Sequence, residues 1–240
     1  MCYQYWKNHF ETNRSHFDDI DWDIRDGLLE TEKKLITASL QQFQKGEHSE
    51  GKHLFAFAKT LGNPVYVDCI RLFICEEQKH AMVLGRFMDK EQIPKISKHW
   101  LDNIFRWLRK LSGLENTLIV LLTAEIISKI FYKALANATM SELLKKLCKQ
   151  ILIDEDQHIA FQAYTLSILY ARKGRIRRFF SRAWNQVLML GTIIIVWTQH
   201  YRVLKAGGFS FMSFMLETLL VFVEADKQIK HPLKLEMAQT

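Results

Sequence analysis

The chain reads as all-α, and three features of its 240 residues carry that reading. Only three prolines and ten glycines interrupt it. Apolar residues recur at intervals of three and four, the period of one helix face, and no segment alternates over a length that demands a sheet. The third feature is polar: Glu77-x-x-His80 and Glu155-x-x-His158 each set a carboxylate and an imidazole three positions apart. At about 3.6 residues per turn, each pair shares one helix face. At this length a single domain with a proper core is the economical arrangement.

Residues 1–27 carry Tyr3, Tyr5, Trp6, Phe10, Phe17 and Trp22 among polar residues that include Asp18, Asp19, Asp21 and Asp23. They predict an extended or short-helical arm packed across the rest. His9 and His16 lie in this arm with no fixed helical spacing to the acids, so no third metal site is expected there.

Residues 28–171 form the predicted four-helix core. The first long helix is expected from Glu30 to Lys59, with Leu35, Leu40, Phe43, Leu54 and Phe57 as its apolar stripe. Gly46 within it costs on the order of 1 kcal/mol relative to alanine, which predicts a packing or site reason for a small residue there. His48 and His53 read as surface or satisfied polar histidines. Asn63-Pro64 opens a second helix that runs to about Asp89, before Ile93-Pro94 breaks it. A short amphipathic helix over His99 to Leu108 ends near Ser112-Gly113. The third long helix, Glu115 to Ala136, is apolar all round at its centre apart from Thr123 and Glu125. A lone buried glutamate must be protonated, paired or bound to a cation. Ser141 is a good N-cap for the fourth helix, with Glu142 in its first turn, and that helix runs to about Tyr170.

Register ties these elements together. Glu47 and Glu77 stand 30 residues apart about the turn at Leu61 to Pro64, and Glu125 and Glu155 stand 30 apart about Asn137 to Ser141. In two antiparallel helical hairpins each glutamate then returns to its partner's height, at roughly 1.5 Å per residue. Glu47, Glu77, Glu125 and Glu155 are therefore the predicted carboxylate ligands of two metal ions, with His80 and His158 supplying nitrogen. Glu76 lies beside Glu77 on another face, and Glu77 is preferred because it stands three before His80. Asp154 and Asp156 flank Glu155; either could accept a hydrogen bond from a ligand histidine or lie on the surface. Tyr132, two turns past Glu125, is a core tyrosine or a hydrogen-bonding or redox neighbour of the site.

This constellation resembles the ferritin-like di-iron carboxylate superfamily over about residues 30–170. The run from Leu28 to Glu47 is similar to the approach to the first metal carboxylate in ribonucleotide reductase small subunits. Gly46-Glu47 followed by Phe57-Ala58 resembles the first ligand helix of rubrerythrins and of cyanobacterial aldehyde-deformylating oxygenases, and both likenesses favour Glu47 over Glu50. The resemblance implies a ferritin-like four-helix bundle with an N-terminal arm and two additional C-terminal helices, holding two Fe ions or a Mn/Fe pair. It implies an oxidoreductase, an oxidase or oxygenase, in which reductive O2 activation is followed by oxidation of a small, apolar organic substrate at a carbon-hydrogen bond, an aldehyde or an amine. An external electron donor would be needed. Two positions depart from the pattern. Leu84 stands where ribonucleotide reductase small subunits carry their radical tyrosine, and Ser128 stands where rubrerythrins carry a second glutamate that assists peroxide chemistry. The same six ligands would also serve an iron- or peroxide-handling protein with no organic substrate.

The four cysteines make no C-x-x-C pair and read as buried free thiols, and the N-terminus lacks a signal-peptide layout. Both predict a cytoplasmic protein. The net charge of +7 is dispersed among acids along helices, which argues against nucleic acid as a partner. The exception is Arg172 to Arg182, with six cations and no acid, read as a solvated connection or as a docking patch for a membrane surface or acidic reductant. Residues 172–228 supply the two extra apolar helices. Trp184 to Trp197 is expected to face the core; its apolar stretch is shorter than the about 20 residues a bilayer span needs, so a peripheral contact through 172–200 is the membrane alternative. Gly207-Gly208 ends that helix, Phe209 to about Ala225 forms the next, and residues 229–240 are a polar tail. A non-catalytic membrane-docking module and a homodimer are both compatible with this segment.

Overall fold

The structure is a computed structural model that describes residues 3–24, 26–48, 51–97 and 113–232. Cys2, Glu50, the amphipathic stretch His99 to Leu108 and most of the polar tail lie outside the described residues. Among the described residues there is no strand. The helices are α1 (Tyr3–Thr12), α2 (Glu30–Glu47), α3 (Lys52–Lys59), α4 (Pro64–Lys90), α5 (Gly113–Ala138), α6 (Glu142–Ala171), α7 (Arg175–Ala206) and α8 (Phe211–Lys230).

The helix starts follow their side chains. Asn63 caps α4 by accepting from the backbone N–H of Tyr66 at 3.0 Å, with Pro64 at the first helical position. Ser141 caps α6 by accepting from Leu144 at 3.2 Å, and Asp26 from the arm accepts from the N–H groups of Glu142 and Leu143 beside it. A carboxylate against the positive end of a 30-residue helix is favourable in charge as well as in hydrogen bonding. Glu32 of α2 closes the same corner, accepting from Thr139 and from the Met140 N–H. The α5–α6 turn is thereby tied to the start of α2.

The first long helix is not continuous. It stops at Glu47 and resumes at Lys52, because Gly51 adopts the left-handed conformation (φ 60°) and Ile74 packs where a Cβ at Gly51 would stand. Apolar spacing cannot register this break, since Phe43, Leu54 and Phe57 keep helical phase across it. Gly46 has no packing reason: it is exposed in the last turn of α2, and a Cβ there would meet nothing.

Buried apolar side chains form two clusters. One collects Tyr3, Trp6, Phe73, Leu118, Leu122 and Phe161 with their neighbours. The other collects Ile36, Leu40, Leu84, Phe131, Leu144 and Ile151. On α4 and α6 the stretch that divides one cluster from the other contains Glu77 and His80, and Glu155 and His158, while Glu125 of α5 faces the same layer from within the first cluster. The polar side chains thus occupy one layer between two dry ones.

The C-terminal segment departs from expectation. The basic run enters a helix rather than forming a solvated connection, because α7 begins at Arg175 and extends for 32 residues. By length and composition α7 is the one helix among the described residues long and apolar enough to cross a membrane, yet only 28% of that apolar window is buried. One face packs on α5 and α2 through Met189, Ile193, Val203 and the His200–Ser39 hydrogen bond of 2.9 Å. Gly207 allows this seat: a Cβ there would fall on the backbone of Ala134. The other face of α7 is exposed, so the expectation of a core-facing helix holds for one side alone.

Candidate metal centre

Four helices deliver the side chains of the polar layer. Glu47 is the last residue of α2, Glu77 and His80 share a face of α4, Glu125 projects from α5, and Glu155 and His158 share a face of α6. Glu47, His80, Glu125, Glu155 and His158 are buried, and the Glu77 side chain is 14% exposed. The two imidazole rings lie 5.6 Å apart.

The six side chains fall into two overlapping groups. Glu47, Glu77, His80 and Glu155 form one, and Glu77, Glu125, Glu155 and His158 form the other; within each, one ligand atom per residue lies within 4.8 Å of all the rest. Each group could hold a metal ion. Glu77 and Glu155 belong to both. His158 Nδ1 stands 3.1 Å from Glu77 Oε1, 3.6 Å from Glu155 Oε2 and 3.8 Å from Glu125 Oε2. His80 Nδ1 stands 3.7 Å from Glu77 Oε1 and 3.9 Å from Glu47 Oε2. His80 Nδ1, His158 Nδ1, Glu77 Oε1 and both oxygens of Glu155 are buried without a hydrogen bond. Such atoms are costly to leave unpaired, and their convergence on one space fits a cation.

The opposite edge of each imidazole is held from outside. His80 Nε2 lies 3.0 Å from Asp154 Oδ2, and His158 Nε2 lies 2.9 Å from Glu76 Oε2. A carboxylate at Nε2 fixes the proton on that nitrogen, so in the neutral imidazole the Nδ1 lone pair is directed inward, the tautomer a metal ligand requires. The pairing crosses the bundle: the acid preceding Glu155 on α6 serves the histidine of α4, and the acid preceding Glu77 on α4 serves the histidine of α6. Asp156, by contrast, is exposed and pairs with Lys129. Setting Glu76 aside for being off the Glu77 face is corrected here. Its face points at the neighbouring helix, and the signal was the acid-Glu-x-x-His pattern common to both motifs.

The arm completes this outer layer. Asn13 Nδ2 donates to Glu76 Oε1 at 2.5 Å and to Asp154 Oδ1 at 2.9 Å, linking the two outer carboxylates. His16 Nε2 lies 3.0 Å from Asp154 Oδ2. His16, His80 and Asp154 could also be grouped around a cation, but the Nε2 atoms of both histidines already face the same carboxylate oxygen. Phe10 and Phe73 stand against the His158 ring at 6.2 and 4.8 Å, and Phe17 against the His80 ring at 5.8 Å. Deeper in the bundle, Tyr132 OH donates to Glu47 Oε1 at 2.6 Å, and Gln162 Nε2 lies 3.4 Å from Glu125 Oε1.

Proton affinities follow from crowding acids in a dry layer. Burial, then the neighbouring Glu77 and Glu125 carboxylates, raise Glu47 well above the ordinary 4.5 despite the hydrogen bond from Tyr132. Burial and Glu125 raise Glu155 in the same way. For Glu77 burial also acts upward, but the His158 and His80 imidazoles outweigh it and hold the carboxyl below its usual value. Burial would neutralise His158, yet the carboxylates around it, Glu125 and Glu155 foremost, raise it well above 6.5. Asp154 is held far below the usual range: desolvation is overcome by hydrogen bonds from His16, His80 and Asn13. Burial and the adjacent Glu47 raise Tyr132, keeping it a phenol that donates.

Cys69 and Cys148 are buried thiols, whereas Cys75 is exposed. No known protein family matches the chain, and no curated protein matches it.

Proposed function

We propose that this chain is a ferritin-like di-metal carboxylate oxidoreductase, an iron pair or a Mn/Fe pair serving to activate O2 for oxidation of a small, apolar organic substrate with electrons from an external donor. The observation that carries the reading is the sharing of Glu77 and Glu155 between two four-residue groups in which both imidazole Nδ1 atoms, Glu77 Oε1 and both Glu155 oxygens lack hydrogen bonds. Glu47 with His80, and Glu125 with His158, would complete the two ends. A carboxylate-rich oxygen and nitrogen set suits Fe and Mn, and six protein ligands leave positions open on two octahedral ions. Such a pair, when bound, supplies two coupled one-electron couples and a binding position for O2.

The remaining roles belong to the protein. Asp154 and Glu76 hold the protons on Nε2 of His80 and His158, which orients both rings. The phenol of Tyr132 fixes Glu47 at its Oε1. Glu47 and Glu155, with raised proton affinity, release protons as a cation binds. Phe10, Phe17 and Phe73 exclude water from the imidazole faces, and the two apolar clusters do so above and below the layer.

The test is metal content and oxygen uptake. Protein loaded with Fe(II) without oxygen should hold about two ions per chain, as the bundle arrangement implies, and should consume O2 on exposure. Glu125→Ala should lose most of its metal. Full metal content in that variant overturns the assignment. Metal binding without oxygen uptake removes the oxidoreductase reading and leaves a metal-holding bundle.

A further inference from the structure

The outward face of α7 is not explained by the metal layer. Ile176, Phe180, Trp184, Val187, Leu190 and Ile194 follow one another at intervals of three or four residues and are all exposed, Val187 and Ile194 by 62% and 56%. They form a straight apolar stripe about 27 Å long at roughly 1.5 Å per residue. Isolated exposed apolar side chains are ordinary, but a continuous stripe along a whole helix marks an interaction surface.

Charge identifies what it meets. Residues 157–216 contain no aspartate or glutamate and eight cations: Arg172, Lys173, Arg175, Arg177, Arg178, Arg182, Arg202 and Lys205. They stand at the two ends of α7 and flank the stripe. Lys173 and Arg182 reach Glu115 and Asp226 behind the helix. Among the described residues no carboxylate pairs with Arg175, Arg177 or Arg178. Tyr201, exposed about two turns beyond Ile194 on the same face, is an amphipathic ring of the kind that favours a water–lipid boundary. A second copy of this chain suits the face poorly. A two-fold contact along α7 would set one cationic end against its own copy or against the other cationic end, with no acid on the helix to pair with either. The half of the stripe from Val187 to Ile194 is aliphatic, which suits acyl chains and gives nucleobases nothing to stack on.

We propose that α7 is a monotopic membrane-docking helix, which lies in the surface plane of an anionic bilayer with its Ile176–Ile194 stripe among the acyl chains and Arg175 and Arg177, which flank the stripe on either side, on lipid phosphates. It lies flat because its other face is bonded to the bundle through His200 and seated on α5 at Gly207. This surface is separate from the candidate metal layer, so the two readings stand or fall independently.

Flotation of the full chain with vesicles tests the proposal. With vesicles of phosphatidylglycerol and phosphatidylcholine in equal parts the protein should float, and with phosphatidylcholine alone it should float far less. Val187→Asp with Ile194→Asp, and separately Arg175→Glu with Arg177→Glu, should each weaken binding at least about tenfold, since both apolar insertion and surface charge contribute. Unchanged circular dichroism and an unchanged melting midpoint establish that both variants are folded. Failure of the natural chain to float on anionic vesicles overturns the proposal, as does undiminished flotation of either variant. If the natural chain stays in solution as a dimer that Val187→Asp with Ile194→Asp converts to a monomer, a second copy covers the stripe and the proposal is wrong.

Discussion

Replacing Asp154 by asparagine tests the crossed support of the histidines with almost no change in shape. Asp154 Oδ1 accepts from Asn13 at 2.9 Å and from Gln150 at 3.0 Å, while Oδ2 faces the Nε2 atoms of His80 and His16, each at 3.0 Å. An asparagine keeps one acceptor, so either orientation turns an NH2 towards two donors. If the NH2 faces His80, the imidazole proton is no longer held at Nε2, and the tautomer with Nδ1 protonated blocks the position a cation needs. Loss of such outer support costs roughly 10- to 100-fold in metal affinity, or about 1.4 to 2.7 kcal/mol. The structure restricts this loss to one end. His80 belongs to the group with Glu47, whereas His158 leans on Glu76 and belongs to the group with Glu125. Titration of chelated protein with Fe(II) or Co(II), followed by calorimetry or visible absorption, should show one binding step weakened and the other preserved. Glu76→Gln should weaken the other step. Equal loss of both steps in Asp154→Asn, or no loss at all, would refute the crossed arrangement.

Three further outcomes are expected. Gly46→Ala should raise stability by up to about 1 kcal/mol, because the exposed helical position has room for a methyl group; thermal melting reads the change. Gly207→Ala should do the reverse, costing about 1 to 3 kcal/mol, because its methyl meets the Ala134 backbone where α7 sits on α5. Chelated protein should lose stability as pH rises. Between the ordinary 4.5 and their raised values, Glu47 and Glu155 hold protons in the folded chain that the unfolded chain has released. Each then contributes up to about 1.4 kcal/mol of loss per pH unit. His158 acts in the same direction, its stabilisation present below 6.5 and lost as pH climbs through its raised value. Melting of the chelated chain from about pH 5 to about pH 8 should show the midpoint fall; a midpoint that rises with pH would contradict these proton affinities.

The sequence by itself determined the helical class, the ends of α4 and α6, and the equal spacing that brings Glu47 beside Glu77 and Glu125 beside Glu155. These are local or periodic properties: a cap, a proline, a three-residue interval, a distance from a turn. It could not show that α2 ends at Glu47, because a left-handed glycine leaves the apolar rhythm on either side unbroken. Nor could it distinguish Asp154 from Asp156, or recover Glu76, since the partner of each acid lies on another helix 74 or more residues away or on a surface lysine. The roles of Asn13, Phe10 and Phe17 depend on where the arm lies, and no spacing encodes that. The two faces of α7 were decided last and only by packing. Its middle, Val187 to Trp197, is apolar nearly all round, so composition cannot separate the side that meets α5 from the side that meets nothing in this chain.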